Sequence, residues 1–203
     1  MHAVITGDII NSTKVDPKIW LPVLKDVLNK AGSTPKEWEI YRGDSFQLFI
    51  KDPLLALTIA IQIKAAIKTI KSLDVRMAIG IGNVKHASNN VTEANGTAFI
   101  YSGERFEGLK KEKLNLALRS DWPQFDLDVN LFLKLALLIM DHWTESAAEM
   151  IKTSLENPNK AQSELGSIIG IKQNAVSSRL KRAAFEEISE MIQVYQLKLK
   201  RNL

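Results

Sequence analysis

Two acidic residues at the ends of predicted strands are the side chains of this sequence best placed for chemistry. Asp8 ends an apolar run that begins at His2, and Asp44 lies in the polar segment Arg42-Gly43-Asp44-Ser45 between two apolar runs. Gly43 is suited to the positive φ angle that tight hairpin turns require. The pattern predicts a β-hairpin with Asp44 at its tip, which taken alone is a common surface turn.

The segments around these acids predict how they are positioned. We predict a strand over residues 2–10, a helix from Asp16-Pro17 to Gly32, hairpin strands over 38–41 and 46–50, a helix from Asp52-Pro53 to about Ser72, and a strand over 75–81. This order is the ferredoxin-like βαββαβ arrangement, in which right-handed crossovers make the first and third strands antiparallel neighbours. Asp8 and Asp44 would then share one edge. Two adjacent carboxylates repel unless a cation lies between them, so the order predicts a site for Mg²⁺ or Mn²⁺ with Asp8 and Asp44 as ligands.

The rest of the chain is predicted to be mainly helical. A polar loop over 84–97, a helix over 98–110 and a short strand over 114–118 precede Asp121-Trp122-Pro123, where we place a domain boundary. Helices are then predicted over 127–142 and 145–155, followed by two shorter ones. The predicted fold class is therefore α+β, with a ferredoxin-like domain over 1–121 and an all-α domain over 122–203.

Composition narrows the class of protein. The 203 residues include no cysteine, which excludes disulfides and thiolate chemistry, and the N-terminus lacks a signal-peptide pattern, so we expect a cytoplasmic protein without a membrane span. His2, His86 and His142 are too scattered to form a metal site.

The net charge of +4 comes from residues 158–203, which contain eight Lys/Arg and four Asp/Glu. A basic terminal segment favours an anionic partner such as nucleic acid, although a solvated helix face would look the same.

The basic segment contains a pattern typical of a helix-turn-helix. Apolar residues at the spacing of two crossing helices are Leu165, Ile168, Ile171, Val176 and Leu180, with Gly166 at the crossing and Gly170 at the turn. The residues left facing outward are amide, hydroxyl and basic side chains, suited to base edges and phosphates: Lys172, Gln173, Asn174, Ser177, Ser178, Lys181 and Arg182. The pattern resembles the sigma-factor type and predicts a double-stranded DNA partner. A plain helical hairpin used only for packing is the alternative.

Residues 4–110 resemble a class III nucleotide cyclase homology domain. The resemblance is carried by Asp8-Ile9-Ile10-Asn11-Ser12-Thr13, by Gly43-Asp44 and by Ala78-Ile79-Gly80-Ile81-Gly82. It implies that Asp8 and Asp44 hold divalent metals around a triphosphate, with Ser12 and Thr13 near the phosphates. The ligand-binding residues expected from this resemblance are Asn11, Ser12, Thr13, Arg42, Tyr101 and Arg105, and Arg105 is the candidate catalytic residue.

Two positions depart from the cyclase pattern. Ile40 stands where cyclases carry a purine-reading lysine, and Tyr101 stands where they carry a transition-state asparagine. Cyclase sites act mainly by neutralising charge at the phosphorus atom. A site that has lost part of this residue set should therefore bind a nucleotide but convert it poorly.

Nearly the whole chain resembles the SatD family, which joins a cyclase-like fold to a C-terminal helix-turn-helix. The segment from Gly96 to Leu109 and the helix start at Trp143-Thr144 carry this resemblance. Our hypothesis is a DNA-binding regulator that senses a nucleotide or phosphate ligand and acts as a homodimer through the apolar helix from Leu127 to Met140. The alternatives are a divergent metal-dependent cyclase or phosphoryl-transfer enzyme, and a cyclase-like interaction scaffold without ligand.

Overall fold

The structure is a computed structural model that describes residues 1–85 and 89–203, so His86 and part of the predicted 84–97 loop lie outside the described residues. Within these ranges the fold is α+β, with one mixed sheet of five strands and eight α-helices. The strands are β1 (His2–Ile10), β2 (Trp38–Tyr41), β3 (Ser45–Ile50), β4 (Asp74–Gly82) and β5 (Leu116–Arg119). The helices are α1 (Pro17–Ala31), α2 (Ala56–Lys68), α3 (Thr97–Glu112), α4 (Pro123–Met140), α5 (Glu145–Glu156), α6 (Gln162–Ile169), α7 (Gln173–Arg182) and α8 (Phe185–Lys200).

The strands lie in the order β2-β3-β1-β4-β5. Neighbouring strands are antiparallel except β4 and β5, which are parallel. The prediction that the first and third strands are antiparallel neighbours is confirmed, because Asp8 lies opposite Ser45 in the register of β1 and β3. The backbone amide of Ile9 donates a hydrogen bond of 3.2 Å to the carbonyl of Asp44. The backbones that carry the two acids are therefore adjacent.

The sheet uses its two faces differently. Ile5, Leu48 and Ile79 pack on one face in the main hydrophobic core, which also contains buried side chains of α1 and α2. On the other face α3 covers β4 and β1 closely, since a Cβ added to Gly80 would lie 2.1 Å from a carbonyl oxygen of α3. Thr6 of β1 and Ser102 of α3 share a buried hydrogen bond of 3.0 Å across this contact.

Capping at the start of α1 follows the sequence prediction. The Asp16 side chain accepts a hydrogen bond of 2.9 Å from the Lys18 amide, and Pro17 occupies the first turn, where its missing N–H costs nothing. Trp20, Leu24, Val27 and Leu28 form the buried face of the helix. Ile19, next to the buried Trp20, is 55 % exposed.

The C-terminal segment departs from the prediction in two places. Helix α4 begins at Pro123 rather than Leu127, because Asp126 accepts hydrogen bonds from the amide and hydroxyl of Ser120 and fixes the first turn. Three helices, not two, follow α5, and the last of them has 16 residues.

The two predicted domains share one hydrophobic core. A single cluster of buried side chains runs from Ile5 of β1 to Leu199 of α8. The hydroxyl of Tyr195 on α8 donates a hydrogen bond of 2.6 Å to the carbonyl of Pro53 before α2. The segments on either side of Asp121 are therefore packed together in one core. In the part of the chain described here, no helix combines the length and the apolar character needed to cross a bilayer.

Candidate functional site

The hairpin between β2 and β3 presents Asp44 beside the loop that follows β1. Arg42 and Gly43 both adopt positive φ angles, 53° and 90°, so the predicted conformation of Gly43 is confirmed. A positive φ is uncommon for arginine, but tight hairpin turns require positive φ angles at their central residues. The Ser12 hydroxyl donates a hydrogen bond to a carboxylate oxygen of Asp44, which ties the hairpin to the loop after β1.

A groove of about 390 Å³ lies between this hairpin and the loop. Four of the predicted site residues line it, namely Ser12, Thr13, Arg42 and Asp44, together with Lys14. Asn11, also predicted, precedes the groove with a φ of 64° and donates a hydrogen bond of 3.0 Å to the Ser72 carbonyl. The groove thus combines two exposed cations with hydroxyl and carboxylate oxygens, a set suited to a phosphate group and a divalent cation.

Asp8 is engaged by an arginine rather than by Asp44. The Arg76 guanidinium donates two hydrogen bonds to the Asp8 carboxylate, 3.1 Å from Nε and 2.7 Å from Nη2. Arg76 also lies over the ring of Phe106, 5.9 Å from its centroid. Arg76 therefore supplies the positive charge that the acid pair was predicted to require.

The oxygen atoms at this edge suit Mg²⁺ in type, but Asp8 reaches a metal only if Arg76 releases it. Asp44 remains accessible from the groove, with the Ser12 and Thr13 hydroxyls close by. Residues 1–85 and 89–203 contain no cluster of three or more histidine, aspartate or glutamate side chains placed to hold a metal. The residues that would hold a cation are thus Asp44 first and Asp8 second, with a bound phosphate or water completing the oxygen ligands.

The two predicted residues on α3, Tyr101 and Arg105, do not line this groove. Arg105 forms two hydrogen bonds with Glu112, of 2.6 and 2.8 Å, and this contact lowers the pKa of Glu112. The Tyr101 hydroxyl donates to Asp121, and the Arg119 guanidinium lies 5.0 Å from the centre of its ring. In the sheet register Arg119 lies opposite Gly80, and Gly80 lies opposite Val4. Val4 is four residues from Asp8 along β1, a distance of about 13 Å. The structure does not bring Tyr101 into the hairpin groove.

The second candidate site is the helix pair α6–α7. Gly170 takes a φ of 73° at the end of α6, and a Cβ added to Gly166 would lie 2.5 Å from the Ile171 carbonyl oxygen. Leu165, Val176 and Leu180 are buried together with Met150 of α5, with Ile169 and Ile171 packed against them. Ile168 was predicted in this contact, but it is 51 % exposed, because the helix turns Ile169 inward instead.

The outer face of α7 is open. All seven predicted residues are exposed: Lys172, Gln173, Asn174, Ser177, Ser178, Lys181 and Arg182. On the inner side of the helix, Arg179 forms an ion pair of 3.0 Å with Glu149 of α5. Within the described ranges Lys172, Lys181 and Arg182 form no ion pair, so their charges face solvent.

A comparison with protein families matches residues 2–193 to the SatD family. The chain belongs to the SatD family. A search of curated proteins finds no match. The SatD match spans both the hairpin groove and the helix pair, so both candidate sites lie within the family's own region.

Three residues of this SatD protein were missed by the sequence analysis. Arg76 is opposite Asp8 in the β1–β4 register, which could have been inferred once the two strands were placed as neighbours. Lys14 follows Ser12 and Thr13 directly and lines the same groove. Tyr41 immediately precedes the hairpin turn; burial raises its pKa, and the Asp8 charge adds to this effect while Arg42 opposes it.

Proposed function

We propose that this SatD protein is a DNA-binding regulator whose N-terminal segment binds a nucleotide or another phosphate ligand. The observation that carries the proposal is the outer face of α7, where six polar and basic side chains, together with Lys172 just before the helix, are exposed opposite a buried inner face. A DNA partner implies a cytoplasmic location.

The helix pair has the features that a helix-turn-helix needs. A recognition helix must present its side chains to the major groove while a second helix supports it from behind. Helix α7 has ten residues, about 15 Å in length, and packs against α5 and α6. The unpaired Lys181 and Arg182 at its C-terminal end suit phosphates, whereas Gln173 and Asn174 at its start suit base edges.

The hairpin groove is the proposed ligand site. The order β2-β3-β1-β4 agrees with a ferredoxin-like, cyclase-homology sheet, in which such a hairpin lies beside the end of the first strand. Lys14 and Arg42 would bind phosphate oxygens, and Asp44, with Ser12 beside it, would bind a Mg²⁺ that accompanies the phosphate.

Two contacts favour ligand sensing over catalysis. Arg105, the candidate for stabilising developing charge, is paired with Glu112. Tyr101, which stands in place of the transition-state asparagine, is bound to Asp121 near the end of β5. A site without these groups would bind a phosphate ligand without lowering the barrier to its transfer.

Duplex binding by the full chain tests the DNA assignment. We expect a fluorescently labelled 30-base-pair duplex to bind at low salt, with anisotropy as the measurement. The double variant Lys181→Ala/Arg182→Ala should weaken binding about tenfold or more and reduce the slope of log affinity against log salt by about two, since two phosphate contacts are lost.

The matched control is Lys110→Ala/Lys111→Ala, which removes two exposed lysines from the last turn of α3. This control should bind DNA like the unmodified chain. Equal losses in the two double variants would show a nonspecific charge effect, and no loss in Lys181→Ala/Arg182→Ala would refute the assignment.

A further inference from the structure

Helix α4 exposes a stripe of apolar side chains along its outer face. Leu127, Leu131, Leu135 and Leu138 are 65, 55, 56 and 70 % exposed, although the opposite face of the helix is buried in the core. Their spacing of four, four and three residues places them in one row. This row, with Ile139 at 41 % exposure beside it, forms a contiguous apolar patch, and patches of this kind are often interaction surfaces.

The stripe continues into a groove between α4 and α8. The groove has a volume of about 330 Å³ and is lined by apolar side chains of both helices, among them Leu135, Ile139 and Met191. Glu187 and Glu190 of α8 form its rim and are exposed. The flank of the stripe on the α8 side is therefore acidic.

The opposite flank of the stripe is basic. Lys134 is rotated by about 140–160° around α4 from Phe132, Ala136 and Ile139, three of the α4 residues that line the groove with α8, so it lies on the other side of the stripe. Lys134 is exposed and forms no ion pair in residues 1–85 and 89–203. The patch thus has an apolar centre, one basic flank and one acidic flank.

This distribution of charge fits a second copy of the same chain. In a two-fold dimer whose axis runs along α4, the helices are parallel, and the basic flank of each copy lies over the acidic flank of the other. The ion pair of Lys198 with Asp128 and the hydrogen bond of Trp143 to Ala183 fix the register of α8 beside α4. In that register Glu190 is level with Ala136, about 3 Å along the axis from Lys134.

We infer that two copies associate through the α4 stripe in parallel orientation, with Lys134 of each copy near Glu190 of the other. An antiparallel pair would instead place the acidic flanks of both copies together. Facing like charges would disfavour that arrangement.

The parallel orientation also suits the DNA binding proposed above, and this link depends on that proposal. Helix α7 leads directly into the start of α8, which lies beside the C-terminal end of α4. Parallel α4 helices therefore place both copies of α7 at one end of the dimer, where a single duplex could contact both. The dimer itself is inferred from the stripe and its flanks, and this inference does not depend on DNA binding.

Sedimentation equilibrium of the full chain tests the association. We expect a dimer for the unmodified protein and a shift towards monomer of at least tenfold in dissociation constant for Leu131→Asp. The matched control is Ile19→Asp, since Ile19 is also 55 % exposed but lies on α1. A monomeric unmodified chain, or a Leu131→Asp variant that still dimerises like the control, would overturn the inference.

The absence of native cysteine allows a direct test of orientation. In a parallel pair Leu138 faces its own symmetry mate, so Leu138→Cys should form an intermolecular disulfide on mild oxidation, and reductant should reverse it. In an antiparallel pair centred on Leu131 the two positions would be about 21 Å apart, too far for a disulfide. Ile19→Cys is the control for random collision. Dimerisation without cross-linking of Leu138→Cys would refute the parallel orientation.

A charge exchange tests the flanks. Lys134→Glu and Glu190→Lys should each weaken dimerisation about tenfold, and the two together should restore it, because the exchange recreates opposite charges across the interface. Additive weakening in the double variant would show that these residues do not face each other. DNA anisotropy with the same variants separates the two proposals, since dimerisation without DNA binding would leave this interface intact and refute only the regulator assignment.

Discussion

The ammonium group of Lys64 lies 2.7 Å from a carboxylate oxygen of Asp141 and joins α2 to the C-terminal end of α4. The same ammonium donates a hydrogen bond of 2.7 Å to Asp74 at the start of β4, and the Lys64 side chain is fully buried. Asn115 donates a hydrogen bond of 3.0 Å to the other Asp141 oxygen. One buried cation therefore connects the sheet to the C-terminal helices.

Removing this cation should strongly destabilise the fold. Lys64→Ala removes the fully buried counter-ion of Asp74 and Asp141 and leaves Lys68, 3.3 Å from Asp74, as the remaining cation beside them, so we expect the free energy of unfolding to fall by about 3 kcal/mol. Urea denaturation followed by circular dichroism measures the loss. Lys30→Ala is the control, because Lys30 is 52 % exposed and its partners Asp26 and Glu156 are 55 and 26 % exposed, and it should cost at most about 1 kcal/mol. A similar loss for both variants would contradict the role of burial.

The contact of Glu37 with Lys51 should make stability depend on pH in the acid range. The Lys51 ammonium lies 2.6 Å from Glu37, the Ser33 amide donates a further hydrogen bond, and together they lower the pKa of Glu37 from 4.5 to about 2. Because the folded pKa is the lower one, the stabilisation is complete above pH 4.5 and is lost as the pH falls towards 2.

We expect Glu37→Gln to lower the free energy of unfolding at pH 7 by on the order of 1 kcal/mol, since Lys51 is largely exposed. The difference from the unmodified chain should become small at pH 2, where about half of the Glu37 carboxyl groups are protonated. Urea denaturation at several pH values measures this. A difference that stays constant from pH 7 to pH 2 would show that packing, rather than charge, is responsible.

Gly166 should be required for the helix pair. A Cβ at this position would lie 2.5 Å from the Ile171 backbone oxygen and 3.3 Å from Val176, so Gly166→Ala should cost about 1–3 kcal/mol and weaken DNA binding by disturbing α7. Gly103→Ala is the control, because Gly103 lies within α3 with no atom within 4 Å of the new Cβ. It should stabilise the chain slightly, by up to about 1 kcal/mol. Thermal unfolding followed by circular dichroism at 222 nm compares the stabilities of the two variants.

A nucleotide bound in the hairpin groove should raise the melting temperature. We expect ATP or GTP with Mg²⁺ to stabilise the unmodified chain by about 2–3 kcal/mol when present at one hundred times its dissociation constant. Arg42→Asn should lose most of this effect, and asparagine tolerates the positive φ of Arg42, so the loss would report charge rather than folding. Asp44→Asn should lose the part that depends on Mg²⁺.

Lys110→Ala, on the exposed last turn of α3, should leave the nucleotide effect unchanged. If neither nucleotide shifts the melting temperature with or without Mg²⁺, the groove is not a nucleotide site. A shift that survives both Arg42→Asn and Asp44→Asn would place the ligand elsewhere.

The sequence by itself determined the features that depend on neighbouring residues. Asp16 and Pro17 start α1 because a cap and a fixed φ act within one turn, and Gly43 and Gly170 mark turns because their backbones take positive φ angles. The placement of β1 beside β3 also followed from the sequence, since the handedness of crossovers leaves few arrangements.

Only the tertiary structure decided which side chains meet across the chain. Arg76 pairs with Asp8 and Lys64 with Asp141, although nothing local in the sequence marks these partners. Ile168 faces solvent while Ile169 is packed, because adjacent helical residues differ in direction by about 100° and only the packing of α6 against α7 fixes its rotation. Short-range rules set where elements begin and end, whereas the fit of their faces sets which groups form a site.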